Sequence, residues 1–140
     1  MVVTCIACVP NLTSPARTTG AYTEKAVSSA AAARSAVETV RVALGAADGG
    51  DAFLTTLEVT VSDAERSLGD VTSVFSSVLP PNRASDLLRA ELVGLLDDAT
   101  DVVAQSRIAL RRHHVRALPA LIDELRGVAR DLAEFDRAHG

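Results

Sequence analysis

The chain has 140 residues, enough for one domain that buries a core without disulfide or metal support. Nearly half of the residues are apolar, but there is no Trp, one Tyr and three Phe, so stacking platforms for bases or sugars are missing. Acidic residues outnumber basic ones by 18 to 14 and no basic stripe appears, which argues against a nucleic-acid partner. Thirteen of the 14 basic residues are Arg, a bias typical of high-GC bacterial genomes.

The first 20 residues differ in composition from the rest of the chain. A short apolar, β-prone run covers residues 2–9, and a stretch rich in Pro, Ser and Thr follows from Pro10 to Gly20. Such a stretch disfavours a regular element. We therefore predict a flexible, disordered N-terminal tether over residues 1–20 and a helical domain over residues 21–140.

Four stretches after the tether carry apolar residues at alternating steps of three and four, the spacing that places side chains on one face of a helix. A helix with one apolar stripe must bury it against other helices, and short connections make successive helices antiparallel. The sequence thus predicts an all-α, up-down-up-down antiparallel four-helix bundle. The stripes are Ala26, Ala30, Ala33, Val37, Val40, Leu44; then Leu54, Leu57, Val61, Ala64, Leu68, Val71, Phe75, Val78; then Leu88, Leu92, Leu95, Ala99, Val102, Ala109; and finally Leu118, Leu121, Leu125, Val128, Leu132, Phe135.

Turn and capping residues set the expected helix boundaries. The predicted helices are 21–45, 51–79, 82–112 and 117–138, with Asp51 and Asn82 as N-caps and Pro119 in the first turn of the fourth helix. Residues 57–62 also alternate with the period of a strand. We favour a helix there because the three-and-four stripe runs through the segment without a break.

The third helix carries a second apolar seam made of Val93, Leu96, Val103 and Leu110. Leaving such side chains in water is unfavourable by about 1.5–3 kcal/mol each. Two arrangements would cover them. A second copy of the chain could pack on this seam as a two-fold homodimer, which makes the four residues a candidate oligomer surface. Alternatively, the small residues of the first helix could let the bundle tilt and bury the seam itself.

Cys5 and Cys8 form a C-x-x-C pair with three interpretations. A redox pair needs a strand before it and a helix after it, whereas Pro10 and the tether follow here. A zinc site needs two further ligands. The third interpretation is a bacterial lipoprotein box, because Ile6-Ala7-Cys8 matches its last positions, and it makes Cys8 the candidate lipidation site. Cys5 replaces the usual Leu, and only seven residues precede Cys8, so this interpretation requires an upstream start.

The remaining clusters of polar residues predict no chemistry. The adjacent pair His113-His114 lacks the i, i+4 spacing of helical metal ligands, and Asp97, Asp98 and Asp101 are expected on a solvated face. A small basic cluster is expected near the end of the third helix, formed by Arg107, Arg111, Arg112 and Arg116. We predict no catalytic residues, no metal and no cofactor.

Three segments resemble a group of uncharacterised actinobacterial helical-bundle proteins, many of them lipoprotein-like. The segments are Val61-Ser62-Asp63-Ala64-Glu65 with Leu68-Gly69, Val74-Phe75-Ser76-Ser77 with Pro80-Pro81, and Leu87-Leu88-Arg89-Ala90-Glu91-Leu92. The resemblance covers roughly residues 22–138 and implies a cell-envelope location, with no activity and no catalytic residues to carry over.

The sequence leads to two functional hypotheses. The first is a non-enzymatic helical bundle that binds a protein partner or itself, lipid-anchored in the bacterial cell envelope through Cys8 or else cytoplasmic. The second is a carrier that holds an apolar small molecule between its helices, which requires a cavity of a few hundred Å³ in the core.

Overall fold

The structure, a computed structural model, describes residues 18–50 and 53–140. It contains four α-helices and one 3-10 turn: α1 (Thr19–Asp48), α2 (Leu54–Ser76), α3 (Arg83–Arg111), the turn Val115–Ala117, and α4 (Leu118–His139). Within these ranges there is no strand, so the helical periodicity of residues 57–62 prevails over their strand-like alternation. The all-α four-helix bundle is confirmed.

Contacts between residues far apart in the chain establish the antiparallel order of the helices. Tyr22 near the start of α1 packs against Phe75 near the end of α2. Asn82 at the start of α3 donates a hydrogen bond to the Thr19 hydroxyl, 2.6 Å away. One end of the bundle therefore holds the starts of α1 and α3 and the end of α2, as the up-down-up-down topology requires.

Most of the predicted stripe positions form the core. Leu54 is instead 36% exposed, and four further positions are only partly buried: Val71, Val78, Leu95 and Val128. All six stripe positions of α1 are fully buried, and α2 buries Val61 and Phe75 completely. The α1 stripe begins with Ala26, Ala30 and Ala33, and α1 packs against all three other helices. Small residues on a helix face let neighbouring backbones approach closely, so the alanines explain the central position of α1.

The second seam of α3 lies inside the bundle, which corrects the predicted oligomer surface. Leu96 and Val103 are fully buried and Leu110 is 2% exposed, while Val93 is half-buried against the core. The reason is that α3 contacts α1 as well as α2 and α4, so the chain itself covers both seams. These four residues do not form an exposed face for a second copy.

Both boundaries of α1 and both boundaries of α2 differ from the prediction, and α1 begins at Thr19, two residues earlier than expected. Helix α1 continues past Gly45 to Asp48 because Ala46 and Ala47 still pack against the core, and the chain reverses at Gly49 and Gly50. The backbone φ angle of +72° at Gly50 lies in the left-handed region that glycine tolerates. Helix α2 begins at Leu54 with Phe53 at its N-cap position and no side-chain cap, so the predicted start at residue 51 with Asp51 as the cap is wrong; Asp51 itself lies outside the described residues.

Helix α2 is shorter than predicted at its C-terminal end. It stops at Ser76 rather than at residue 79, and the Ser77 hydroxyl donates to the Val74 carbonyl at 2.7 Å. Pro80 and Pro81 restrict the residues before them to extended backbone, which prevents the last turn. The predicted cap of α3 is confirmed, since the Asn82 Oδ1 accepts the Ser85 N–H at 3.0 Å.

Candidate functional site

Helix α1 carries a second heptad-like stripe about half a turn away from its core stripe. Its spacing alternates four and three residues, and none of its side chains is charged. The first five positions are exposed and the last is half-buried: Ser28, Ala32, Ser35, Thr39, Val42 and Ala46. We call this set the outer stripe; it runs for about 27 Å along α1.

A surface groove of about 480 Å³ lies between the outer stripe and α2. Four outer-stripe residues line it together with Glu38 and Ala43 of α1, and Leu57 and Thr60 line it from α2. Val42 at its edge is 61% exposed. We call this feature the α1–α2 groove. Exposed apolar side chains beside a concave surface are typical of protein interaction sites.

Charged residues flank the outer stripe on both sides. On the α2 side, Asp63 follows Thr60 by one turn and pairs with Arg66 at 2.7 Å, and Asp70 lies two turns further on. On the α4 side, Glu38 pairs with Arg41 at 2.6 Å. The result is an uncharged stripe with carboxylates on both edges, Asp63 and Asp70 on the α2 side and Glu38 on the α4 side.

A separate groove on the α4 side of α1 contains several arginines. Its volume is about 430 Å³, and Arg34, Arg126 and Arg130 line it together with Glu38. Arg126 pairs with Asp123, and Arg130 lies 3.0 Å from Asp131. These are exposed ion pairs, which contribute little to stability.

A smaller polar cleft of about 280 Å³ opens where α1 and α3 begin and α4 ends. We call it the end cleft. Its polar lining includes Thr19, Thr23, Ser85 and Glu91, and His139 closes one side with its Nε2 atom 3.2 Å from the Glu91 carboxylate. The cleft brings together side chains from three helices that no local sequence pattern connects.

Two hydroxyl groups at this end of the bundle are buried without a hydrogen-bond partner, those of Ser85 and Tyr22. Ser85 is 2% exposed and lines the end cleft. Burial raises the pKa of Tyr22; the positive charge of Arg89 lowers it in part, and Asp86 raises it further. Unsatisfied buried polar groups are rare in native proteins, so each calls for an explanation such as water, strain or a ligand.

The residues singled out from the sequence are not brought together. His113 and His114 are exposed in the turn after α3, and His113 has a φ angle of 52°. Asp97, Asp98 and Asp101 are exposed on α3, as predicted. In residues 18–50 and 53–140, no group of three His, Cys, Asp or Glu residues could hold a metal ion.

The predicted basic cluster is smaller than expected, because Arg107 turns toward α2. Its Nε atom lies 2.7 Å from the Glu65 carboxylate, and both side chains are about 70% buried. The contact lacks the geometry of a directional hydrogen bond and acts as an ion pair. Arg111, Arg112 and Arg116 remain exposed. Two acidic residues of α2 therefore form ion pairs, Asp63 with Arg66 and Glu65 with Arg107.

The sequence could have indicated the outer stripe but not the end cleft. The stripe has the same three-and-four spacing as the core stripes, but half of its residues are Ser or Thr, so a search for apolar periodicity does not detect it. The end cleft depends on tertiary contacts. Cys8 and Cys5 lie outside the described residues. None of the helices the structure describes is long and apolar enough to cross a membrane.

Comparison with known proteins gives no further assignment: no protein family, curated protein or solved structure matches the chain.

Proposed function

We propose that the bundle binds a helix of another protein in the α1–α2 groove and along the outer stripe, without catalysing a reaction. The observation that carries this proposal is the outer stripe itself. It is a heptad-spaced, uncharged and exposed face on a helix whose opposite face is already buried in the core. Small side chains at such spacing let a second helix approach closely, as the core alanines do inside the bundle.

The charges beside the groove define the chemistry of the partner. Asp63 and Asp70 lie along the α2 edge, and the whole chain carries a formal charge of −4. An amphipathic helix with a narrow apolar stripe and Lys or Arg on one flank complements this surface. A second copy fits less well. Two-fold antiparallel pairing through α1 would bring the α2 flanks together and place the same carboxylates opposite each other.

Neither the α1–α2 groove nor the arginine-lined groove supports the alternative of an apolar-ligand carrier. Both are open surface grooves. The core residue Ala43 lines the α1–α2 groove, but neither groove is lined by Ala26, Ala30 or Ala33. A carrier needs an enclosed apolar cavity instead.

We retain the anchor through Cys8 as part of the proposal, supported by the Ile6-Ala7-Cys8 sequence and by the helical domain starting at Thr19, about ten residues later.

Site-specific photo-crosslinking in the source cells tests the proposal. The photoreactive residue replaces Thr39 on the outer stripe or, as the control, Thr100 on α3. Both threonines are exposed, and each hydroxyl donates to the carbonyl four residues earlier. We expect one protein to crosslink at position 39 and not at position 100. Equal crosslinking at both positions, or crosslinking only to a second copy of the chain, would contradict the proposal.

A further inference from the structure

The arginine-lined groove between α1 and α4 adjoins the α1–α2 groove on the surface of α1. Glu38 lines both of them, so the two grooves meet across the outer face of that helix. An α-helix with its side chains is about 10–12 Å wide. A partner helix that lies along the outer stripe can therefore contact the α2 edge with one flank and the α4 edge with the other.

The α4 edge carries positive charge from two helices. Arg34 of α1 lines the groove together with Arg126 and Arg130 of α4. Among the described residues that line it, Glu38 is the only acidic one, and its carboxylate already pairs with Arg41. The groove therefore presents arginines on both of its walls.

These arginines are available to a carboxylate from outside the chain. Arg34 forms no ion pair with any residue that the structure describes. Arg126 and Arg130 contact Asp123 and Asp131 of their own helix, but the side chains of these pairs are 46–72% exposed, and neither aspartate lines the groove. Exposed pairs contribute little free energy, so a partner's carboxylate can replace them. Arginine also binds a carboxylate through two parallel hydrogen bonds.

The two edges of the outer stripe thus differ in sign. Asp63 and Asp70 lie on the α2 side, and the three arginines lie on the α4 side. A partner helix with charges of one sign on both flanks would be attracted by one edge and repelled by the other.

We propose that the partner helix has basic residues on the flank that faces α2 and acidic residues on the flank that faces α4, where Arg34, Arg126 and Arg130 bind them. This inference rests on the proposed binding of a helix along the outer stripe. It also fixes the direction of that helix, because reversing a helix end to end with its stripe still on α1 exchanges its two flanks.

The test uses three designed helical peptides of about 21 residues, with Ala on the facing stripe to limit pairing between peptides. The mixed peptide has Lys on one flank and Glu on the other, and the two remaining peptides have Lys or Glu on both flanks. Fluorescence titration with the full chain gives each Kd. We expect the mixed peptide to bind about fivefold more tightly than either of the others. The formal charge of −4 alone would instead favour the Lys peptide.

The double variant Arg34→Gln, Arg130→Gln should bind the mixed and the Lys peptides with nearly equal affinity, because the α4 edge loses its charge. The matched control is Arg111→Gln, Arg112→Gln, which removes the same charge at the end of α3 and should keep the preference. All four arginines are exposed, so both variants should fold, which thermal unfolding verifies.

The outcomes separate this inference from the proposed function. A wild-type chain that binds the Lys or the Glu peptide as tightly as the mixed peptide would overturn the inference alone, as would a preference that persists in Arg34→Gln, Arg130→Gln. Dimers of the chain that form without peptide and dissociate in that double variant would make a second copy the occupant, which also overturns it. If no peptide binds, or if Thr39→Arg leaves every affinity unchanged, the proposed function fails as well.

Discussion

Tyr22 and Phe75 join the start of α1 to the end of α2, with their ring centroids 5.8 Å apart and the ring planes inclined by 48°. Both side chains are fully buried. Tilted aromatic pairs of this kind stabilise a fold beyond the area they bury. The Tyr22 hydroxyl of this pair is buried and has no hydrogen-bond partner.

The two rings should respond differently to substitution. We expect Phe75→Ala to lower the free energy of unfolding by about 3–5 kcal/mol, because it leaves a cavity in the core. Tyr22→Phe keeps the ring and removes the orphan hydroxyl, so it should be neutral or slightly stabilising. Urea unfolding of both variants measures the difference. A strongly destabilised Tyr22→Phe would mean that the hydroxyl has a partner after all.

The raised pKa of Tyr22 makes stability depend on pH in the alkaline range. The unfolded chain releases the phenolic proton near 10.0, whereas the folded chain holds it to higher pH. Stability contributed by the neutral phenol is thus complete below pH 10 and is lost as the pH rises above it. Tyr22 is the single tyrosine of the chain, so tyrosinate absorbance reports it directly. A titration midpoint at or below 10 would contradict this prediction, and Tyr22→Phe should lack the associated loss of stability.

The ion pair between Glu65 and Arg107 should contribute more than the exposed pair between Asp63 and Arg66. Side-chain exposure is about 30% in the first pair and 62–70% in the second. We expect a coupling energy of about 1 kcal/mol for the first and at most about 0.5 kcal/mol for the second. Double-mutant cycles with neutral replacements measure both. Equal coupling energies would show that burial does not strengthen the α2–α3 contact.

Because the second seam of α3 is buried inside the bundle, we expect Leu96 to stabilise the fold of one chain and not an interface between two copies. Leu96→Ala should cost about 2–5 kcal/mol of unfolding free energy, and Leu96→Glu should prevent stable folding. Leu87 is 67% exposed on the same helix, so Leu87→Glu is the matched control and should leave stability nearly unchanged. Circular dichroism combined with light scattering tests this. A folded Leu96→Glu with only its oligomeric state altered would restore the earlier interface prediction.

The anchor is tested by exchanging each N-terminal cysteine for serine in the native gene. Cys8→Ser should move the protein from the membrane fraction to the supernatant and abolish incorporation of a labelled fatty acid. Cys5→Ser is the matched control and should behave as the wild type does. If both variants fractionate as the wild type does, Cys8 does not anchor the chain.

The sequence predicted the features that depend on residues close together in the chain, and it did not predict the contacts between residues far apart in the chain. The stripes of α1 and α4 were readable because each depends on one helix, and the Asn82 cap depends on four consecutive residues. The contacts of Glu65 with Arg107 and of Glu91 with His139 join separate helices, so only the packed bundle reveals them. The burial of Leu96 likewise depended on how closely α1 and α3 approach.

The central claim, binding of a partner helix along the outer stripe, is tested most directly by the affinity of the purified crosslinked partner for two charge variants. Thr39→Arg places a large charge on the stripe, and Thr100→Arg places the same charge on the exposed face of α3. Both should remain folded, because both sites are exposed. We predict that Thr39→Arg weakens binding at least about tenfold while Thr100→Arg leaves it unchanged. Equal affinities of the two variants would contradict the account.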